Sequence, residues 1–346
     1  MRRPPQPVLR VGSAVALPLH PRSLLWALLL AAALLATAVA TLGLGRLGIP
    51  PGALADALTG DATPAQEFVL HRLRGPRLAT AVGTGAALGL AGALFQSVTR
   101  NPLGSPDVIG LNWGASAGAA LVALALPGAV PVPLGALAGA VGAVLLVTTV
   151  TGTGLRHPGR LVVAGIGVAA MAASFTQFVV SALARDQASV LAAYVNGTLS
   201  ARSWEHALTI WLVVALASPL LAALARPVAL NEMGDELADG LGARAASTRT
   251  AAIAVSVVLS AAAVSVAGPI AFVSLTAPQI ARRLTRACGP NLAVSALTGA
   301  LVLAVADLAV QHLPLADGLP VGIATLAVGG VYLGFLLVRE WRRGVL

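Results

Sequence analysis

The chain contains no lysine; all 22 of its basic residues are arginine. A Walker A loop ends in G-K-[ST] and sets that lysine on the β/γ-phosphates, so this chain carries no P-loop of its own. Any ATP energy it uses must come from a partner. A single cysteine, Cys288, excludes a disulfide framework or a thiolate metal cluster built within the chain. Charge is equally scarce. Only 10% of the 346 residues are charged while 57% are hydrophobic, against about 25% charged in a soluble domain. Such a chain cannot cover itself with a water-compatible surface, and disorder is excluded by the same numbers. The five histidines (His20, His71, His157, His206, His312) are scattered, with no H-E-x-x-H pair. No metal site, no cofactor and no catalytic residue is expected, and without a G-x-S-x-G elbow or paired carboxylates a membrane hydrolase is disfavoured.

What is present is apolar sequence in runs of spanning length. They lie near Leu24–Leu44, Leu78–Phe95, Val108–Leu126, Pro131–Val150, Leu161–Leu183, Ala207–Leu224, Ala251–Ala267, Ile270–Ile280, Leu292–Leu308 and Val321–Val338. One crossing takes roughly 20 apolar residues. The expectation is an all-α polytopic membrane protein of about ten transmembrane helices. Residues 1–22 read as an N-terminal tail and 23–346 as a single membrane domain. Arg2 and Arg3 before the first run, with Ala38-Val39-Ala40 near its end, also resemble a signal peptide. Its 21 apolar residues exceed a signal core of about 7–15, which favours a retained anchor.

Ala251–Ile280 has no charge over 30 residues and is interrupted by Pro269 and Pro278. One helix of that length would run about 45 Å, too long for a hydrocarbon core near 30 Å, and two full crossings need more residues. The pattern predicts a turn at Gly268-Pro269 and a short, broken return helix. Counting it as a crossing leaves both termini on one side. Sixteen arginines then share the side of the N-terminus, against six (Arg46, Arg72, Arg74, Arg77, Arg185, Arg202) opposite. The positive-inside rule places both termini in the cytoplasm. It also accounts for the net charge of +9 better than nucleic acid does, because the arginines cluster between apolar runs and form no stripe.

Few segments carry chemistry. The loop 226–249 holds the dense acids Glu232, Asp235, Glu236 and Asp239, with Met233, Leu237 and Leu241 at i, i+4 and i+8. That spacing makes one face of a short helix, either an apolar ridge for a partner's groove or a solvated loop helix. Arg72, Arg74 and Arg77 sit against the inside bias, either meeting an anionic partner or snorkelling to headgroups. Asp107 reads as a helix cap. Asn112 reads as interhelical packing. Asp307 is the one acid within a run, near its outer end, and opens the alternative of an ion-coupled transporter.

The strings RGPRLATAVGTGAALGLAGALFQSVTRNPLGSPDVIG (Arg74–Gly110), NGTLSARSW (Asn196–Trp204), LNEMGDELADGLGA (Leu230–Ala243), AGPIAFVSLTAPQIARRL (Ala267–Leu284) and LPVGIATLAVGG (Leu319–Gly330) resemble the FecCD family. These are permease subunits of bacterial ABC importers for ferric siderophores, haem and cobalamin. The resemblance implies a type II ABC importer permease fold in the bacterial inner membrane. It further implies a second permease subunit as homo- or heterodimer, cytoplasmic ATPase subunits and an extracytoplasmic binding protein. The cargo it implies is a ferric siderophore, with cobalamin or haem as the alternative. Glu232, Met233, Asp235, Glu236, Leu237 and Leu241 match the family's ATPase-coupling segment. Arg74 and Arg77 match outer arginines where the binding protein docks. Asn112, Asn196, Thr198 and Ser200 are the polar residues assigned to the path or gate. Two departures stand out: Gln279 replaces the usual histidine of P-H-I-A-R, and Gln311 stands where some relatives have an arginine four residues after the aspartate.

Overall fold

The computed structural model describes residues 8–11, 15–18, 20–45, 47–59, 62–152, 155, 157–314, 316 and 318–341. Arg2, Arg3, Arg46, Arg156, Arg342 and Arg343, which entered the charge argument, lie outside the described residues. Within the expected tail an antiparallel hairpin forms from β1 (Val8–Val11) and β2 (Val15–Pro18), Arg10 opposite Ala16. The all-α expectation did not include it. All other described regular structure is helical: α1 (Pro21–Gly43), α2 (Pro51–Thr59), α3 (Pro64–Phe68), α4 (Arg74–Thr99), α5 (Leu111–Ala125), α6 (Val132–Thr151), α7 (Pro158–Ala182), α8 (Arg185–Val195), α9 (Trp204–Asn231), α10 (Asp235–Gly240), α11 (Ala245–Ala267), α12 (Val273–Thr285), α13 (Leu292–His312) and α14 (Val321–Trp341).

Among the described residues seven helical segments are long and apolar enough to cross a membrane, and α5 and the apolar part of α14 are shorter apolar helices. The thirteen residues of α12 reach only about 20 Å. The short helices α2, α3, α8 and α10 fall between the expected runs. Three of them, α2, α3 and α8, have at most 11 residues, barely the window in which a helical period becomes visible, and the sequence did not announce them; only α10 falls in the segment already read as a short helix. Leucines along α1 face outward (Leu28 is 62% and Leu35 66% exposed), a surface that belongs in lipid or against a partner.

At the centre lies α4, whose residues from Thr80 to Val98 are almost all buried, with α13, α11, α9 and α12 packed around it. Its sequence explains the position. Small residues let helix backbones approach where lipid removes any hydrophobic drive between helices. A Cβ added at Gly89 would stand 2.2 Å from the Ser295 carbonyl oxygen of α13, and one at Gly299 2.2 Å from that of Gly85. Gly89→Val should therefore force α4 and α13 apart, at about 1–3 kcal/mol for overpacking. Gly142→Ala on α6, with nothing within 4 Å, should be tolerated. Thermal unfolding of the two variants in detergent checks the contrast.

The uncharged stretch breaks at Gly268, where φ is +74°, and Phe272 (φ +69°) precedes the first turn of α12. The return helix thus begins a few residues later than its apolar run. Freed backbone groups find partners in the protein. The Thr198 N–H donates to the Ala267 carbonyl (2.8 Å) and the Gly322 N–H to the Gly197 carbonyl (3.0 Å). The Tyr194 hydroxyl caps α11 through the Val264 and Ser265 carbonyls at 3.1 and 3.2 Å. Within α12, Pro278 cannot donate to the Ser274 carbonyl. Gly92 of α4 packs on that oxygen instead, with room for no side chain.

Candidate functional site

The acidic loop forms one end of the bundle. Here α9 ends at Asn231, Gly234 takes φ +114°, and α10 covers six residues. The helix expected over Glu232–Leu241 is therefore shorter, because Gly234 breaks it after Met233 and Leu241 follows its last turn. The apolar trio still faces outward, with Met233 58%, Leu237 57% and Leu241 61% exposed. Glu236 is exposed beside Leu237.

Three of the acids hold this loop to the helices behind it. Asp235 pairs with Arg100 at the end of α4 and accepts from Arg249 Nη2 of α11 at 2.6 and 2.7 Å. The Arg249 bond, ahead of the charges of both arginines, holds the Asp235 carboxyl below the usual aspartate range. Glu232 accepts from Arg282 Nη2 of α12 at 2.6 Å. Asp239 accepts the Ala245 N–H that opens α11, at 2.6 Å. Arg100 itself sits in the left-handed region (φ +51°) and donates through Nε to the Asn231 carbonyl at 3.0 Å. The loop is a stiff platform with an apolar crest.

Behind the platform, the connection from α4 to α5 folds back into the protein through a short 3₁₀ turn, Pro106–Ile109, whose Ile109 is fully buried. Asp107 accepts from the Ser274 hydroxyl (2.9 Å). Burial pushes its carboxyl up to about 6, against the pull of that bond. Past this turn lies a cavity of about 260 Å³, bounded by Asn112 and Ser116 of α5, by Asn196 at the end of α8, by Pro269 and Ala271 of the break, and by Ile323 of α14. Two of the residues assigned to a path or gate, Asn112 and Asn196, thus share one space. Thr198 and Ser200 do not line it; the Thr198 hydroxyl accepts the Ser200 N–H at 3.1 Å in the turn after α8.

At the opposite end Arg74 and Arg77 turn inward. Arg74 is not presented on the surface. It is 9% exposed and donates through Nη1 to the carbonyls of Thr41 (2.7 Å), Leu42 (3.3 Å) and Leu44. It satisfies the C-terminal carbonyls of α1, which a helix leaves without partners. Arg77 makes a two-pronged pair with Asp307, Nε at 3.0 Å from both oxygens and Nη2 at 2.7 Å from Oδ1. Asp307 is 2% exposed and also accepts from Gln311 Nε2 at 2.7 Å. At the outer end of its run it is thus enclosed and paired within the bundle. Arg72 remains exposed at this end.

A model of the FecCD transport family matches residues 26–339. The chain belongs to this family. It is 38% identical to the ferric enterobactin transport system permease protein of Escherichia coli K12, over 93% of this chain and 98% of that one. An Fe(3+)-citrate import system permease protein of Bacillus subtilis 168 is 36% identical over 93% and 97%. A solved structure, described as an inward-facing conformation of a metal-chelate type ABC transporter, superposes with a TM-score of 0.78 at 25% identity, covering 90% of this chain and 98% of that one. The FecCD chain is thus a multi-pass membrane protein with an ABC transporter permease fold, a transport component in character.

The FecCD strings that lie far apart in sequence meet around α12. Gln96 Nε2 donates to the Leu275 carbonyl (2.9 Å), Gln279 Nε2 to the Pro102 carbonyl (2.6 Å), and Arg282 Nη2 to the Ser97 hydroxyl (2.7 Å). The amide that replaces the usual histidine thus acts as a hydrogen-bond donor to the RNPL turn. Sequence reasoning missed Arg100, Arg249 and Arg282 as partners of the acidic loop. A signal existed, since acids packed against an uncharged bundle need counter-charges.

Proposed function

We propose that this chain is the permease subunit of an ATP-driven importer that carries a ferric siderophore across the bacterial inner membrane. Identity of 36–38% over 93% of the chain to two iron-chelate permeases carries the reading. The subunit crosses about ten times, α12 included, with both termini and the acidic loop in the cytoplasm. It catalyses nothing itself. A cytoplasmic ATPase grips the crest of Met233, Leu237 and Leu241, Glu236 lying beside it. A binding protein docks at the other end, where Arg72 and the rim of Arg77 supply positive charge. A cavity of about 260 Å³ lies below the roughly 300–1,000 Å³ of pockets that enclose drug-sized ligands. The path is therefore completed by a second permease subunit, and affinity resides in the binding protein. An ion-coupled mechanism loses its acid, since Asp307 is already neutralised by Arg77.

The test is reconstitution of the permease with its ATPase and binding protein in proteoliposomes. ATP-dependent uptake of a labelled ferric siderophore, in preference to cobalamin or haem, is expected. Accumulation by the permease alone on an ion gradient would overturn the reading.

A further inference from the structure

The coupling platform and the cavity are joined by one short helix. At its far end α12 carries Arg282, whose Nη2 reaches both Glu232 Oε1 (2.6 Å) on the platform and Ser97 Oγ (2.7 Å) on α4. At its near end the segment Pro269–Ala271 forms a wall of the Asn112–Asn196 cavity. Between them, Ser274 is wedged against Gly92 so closely that no Cβ could intervene. From Ser274 to Arg282 is about 12 Å of helix.

These contacts differ in kind. The Gly92–Ser274 contact is backbone on backbone, in a dense interior that resists deformation. The Arg282 end meets the platform through one ion pair between partly exposed side chains, 34% for Arg282 and 22% for Glu232, which can lengthen or exchange, while Gln279 and Arg282 tie the same end to the Pro102 carbonyl and to buried Ser97. The chain before Ser274 turns through two positive-φ residues, Gly268 and Phe272, and is not locked into a helix. A rigid rod pinned near one end, gripped at the other and continued by a turn behaves as a lever.

We infer that α12 is the element that passes movement of the platform to the cavity wall, and that Arg282 is the positioning residue through which the platform holds it. This rests on the importer reading above. Removing the Arg282 bond should free α12 from the platform while the platform keeps Arg100 and Arg249 and still receives the ATPase.

The experiment uses the reconstituted complex, with spin labels on Ala271→Cys and Leu326→Cys in a Cys288→Ser background. In the unmutated lever, ATP should shift the distance across the cavity by about 2 Å or more. Arg282→Gln should abolish that shift and lower uptake by about tenfold or more, the factor a charge-assisted bond carries, with ATPase association retained. Arg282→Lys, which keeps a cation opposite Glu232, should retain the shift and most of the uptake, a rescue that a merely space-filling role for the arginine would not show. An Arg282→Gln complex that keeps the shift and transports within about twofold of wild type, or an Arg282→Lys complex that loses both, overturns the inference. No ATP-driven uptake in the unmutated complex would instead refute the proposed function.

Discussion

Replacing Leu237 with Asp is expected to abolish uptake while leaving the membrane bundle folded. The side chain is 57% exposed on a helix of six residues, so the isolated subunit gains little from it, and surface changes of this kind usually stay within about 0.5 kcal/mol. In a partner's groove the balance differs. Burying a leucine contributes about 1.5–3 kcal/mol, and an aspartate there would be an unpaired buried charge costing more still. Together these come to about 4 kcal/mol, close to a thousandfold in affinity at about 1.4 kcal/mol per tenfold. Binding of the purified ATPase to the permease in detergent, with thermal unfolding as a control, measures both halves. Leu237→Met should retain most of the affinity, because the swap conserves volume. Undiminished transport by Leu237→Asp would remove the platform from the coupling route.

The positions of the elements were largely legible in the sequence, and their contacts were not. Each long apolar run became a helix because a spanning segment must satisfy its backbone internally. Even the break at Gly268 was readable, because 30 uncharged residues are too long for one crossing and too short for two. The acidic loop was located by composition, but its helix was drawn too long. A glycine inside a helical period is tolerated often enough that Gly234 gave no warning of φ +114°. The outer arginines show the same limit more sharply. Their place at the end of a run says where the side chain begins. Whether the guanidinium turns to water or to the carbonyls of α1 depends on a neighbour some thirty residues away. The pairing of Arg77 with Asp307 spans 230 residues, and the cavity draws on four separate segments.

That pairing allows the structural and docking roles of Arg77 to be separated. Arg77→Met leaves the Asp307 carboxylate, 2% exposed, with only the Gln311 amide as a partner. Breaking a buried pair from one side typically costs about 3–5 kcal/mol, enough to lower the melting temperature by roughly 4–7 °C in a chain of this size. Asp307→Leu should cost a similar amount, because it strands the arginine. The double variant Arg77→Met with Asp307→Leu replaces both charges with apolar groups, an exchange that is often neutral or stabilising. It should unfold near the wild-type temperature. If Arg77 serves only the fold, this stable double variant will transport normally. If its rim also meets the binding protein, the double variant will keep its melting temperature and lose affinity for that protein, most visibly at low salt, where exposed charges act over the longest range. Melting curves and binding isotherms on the same three variants therefore decide whether this guanidinium is a strut or also a docking contact.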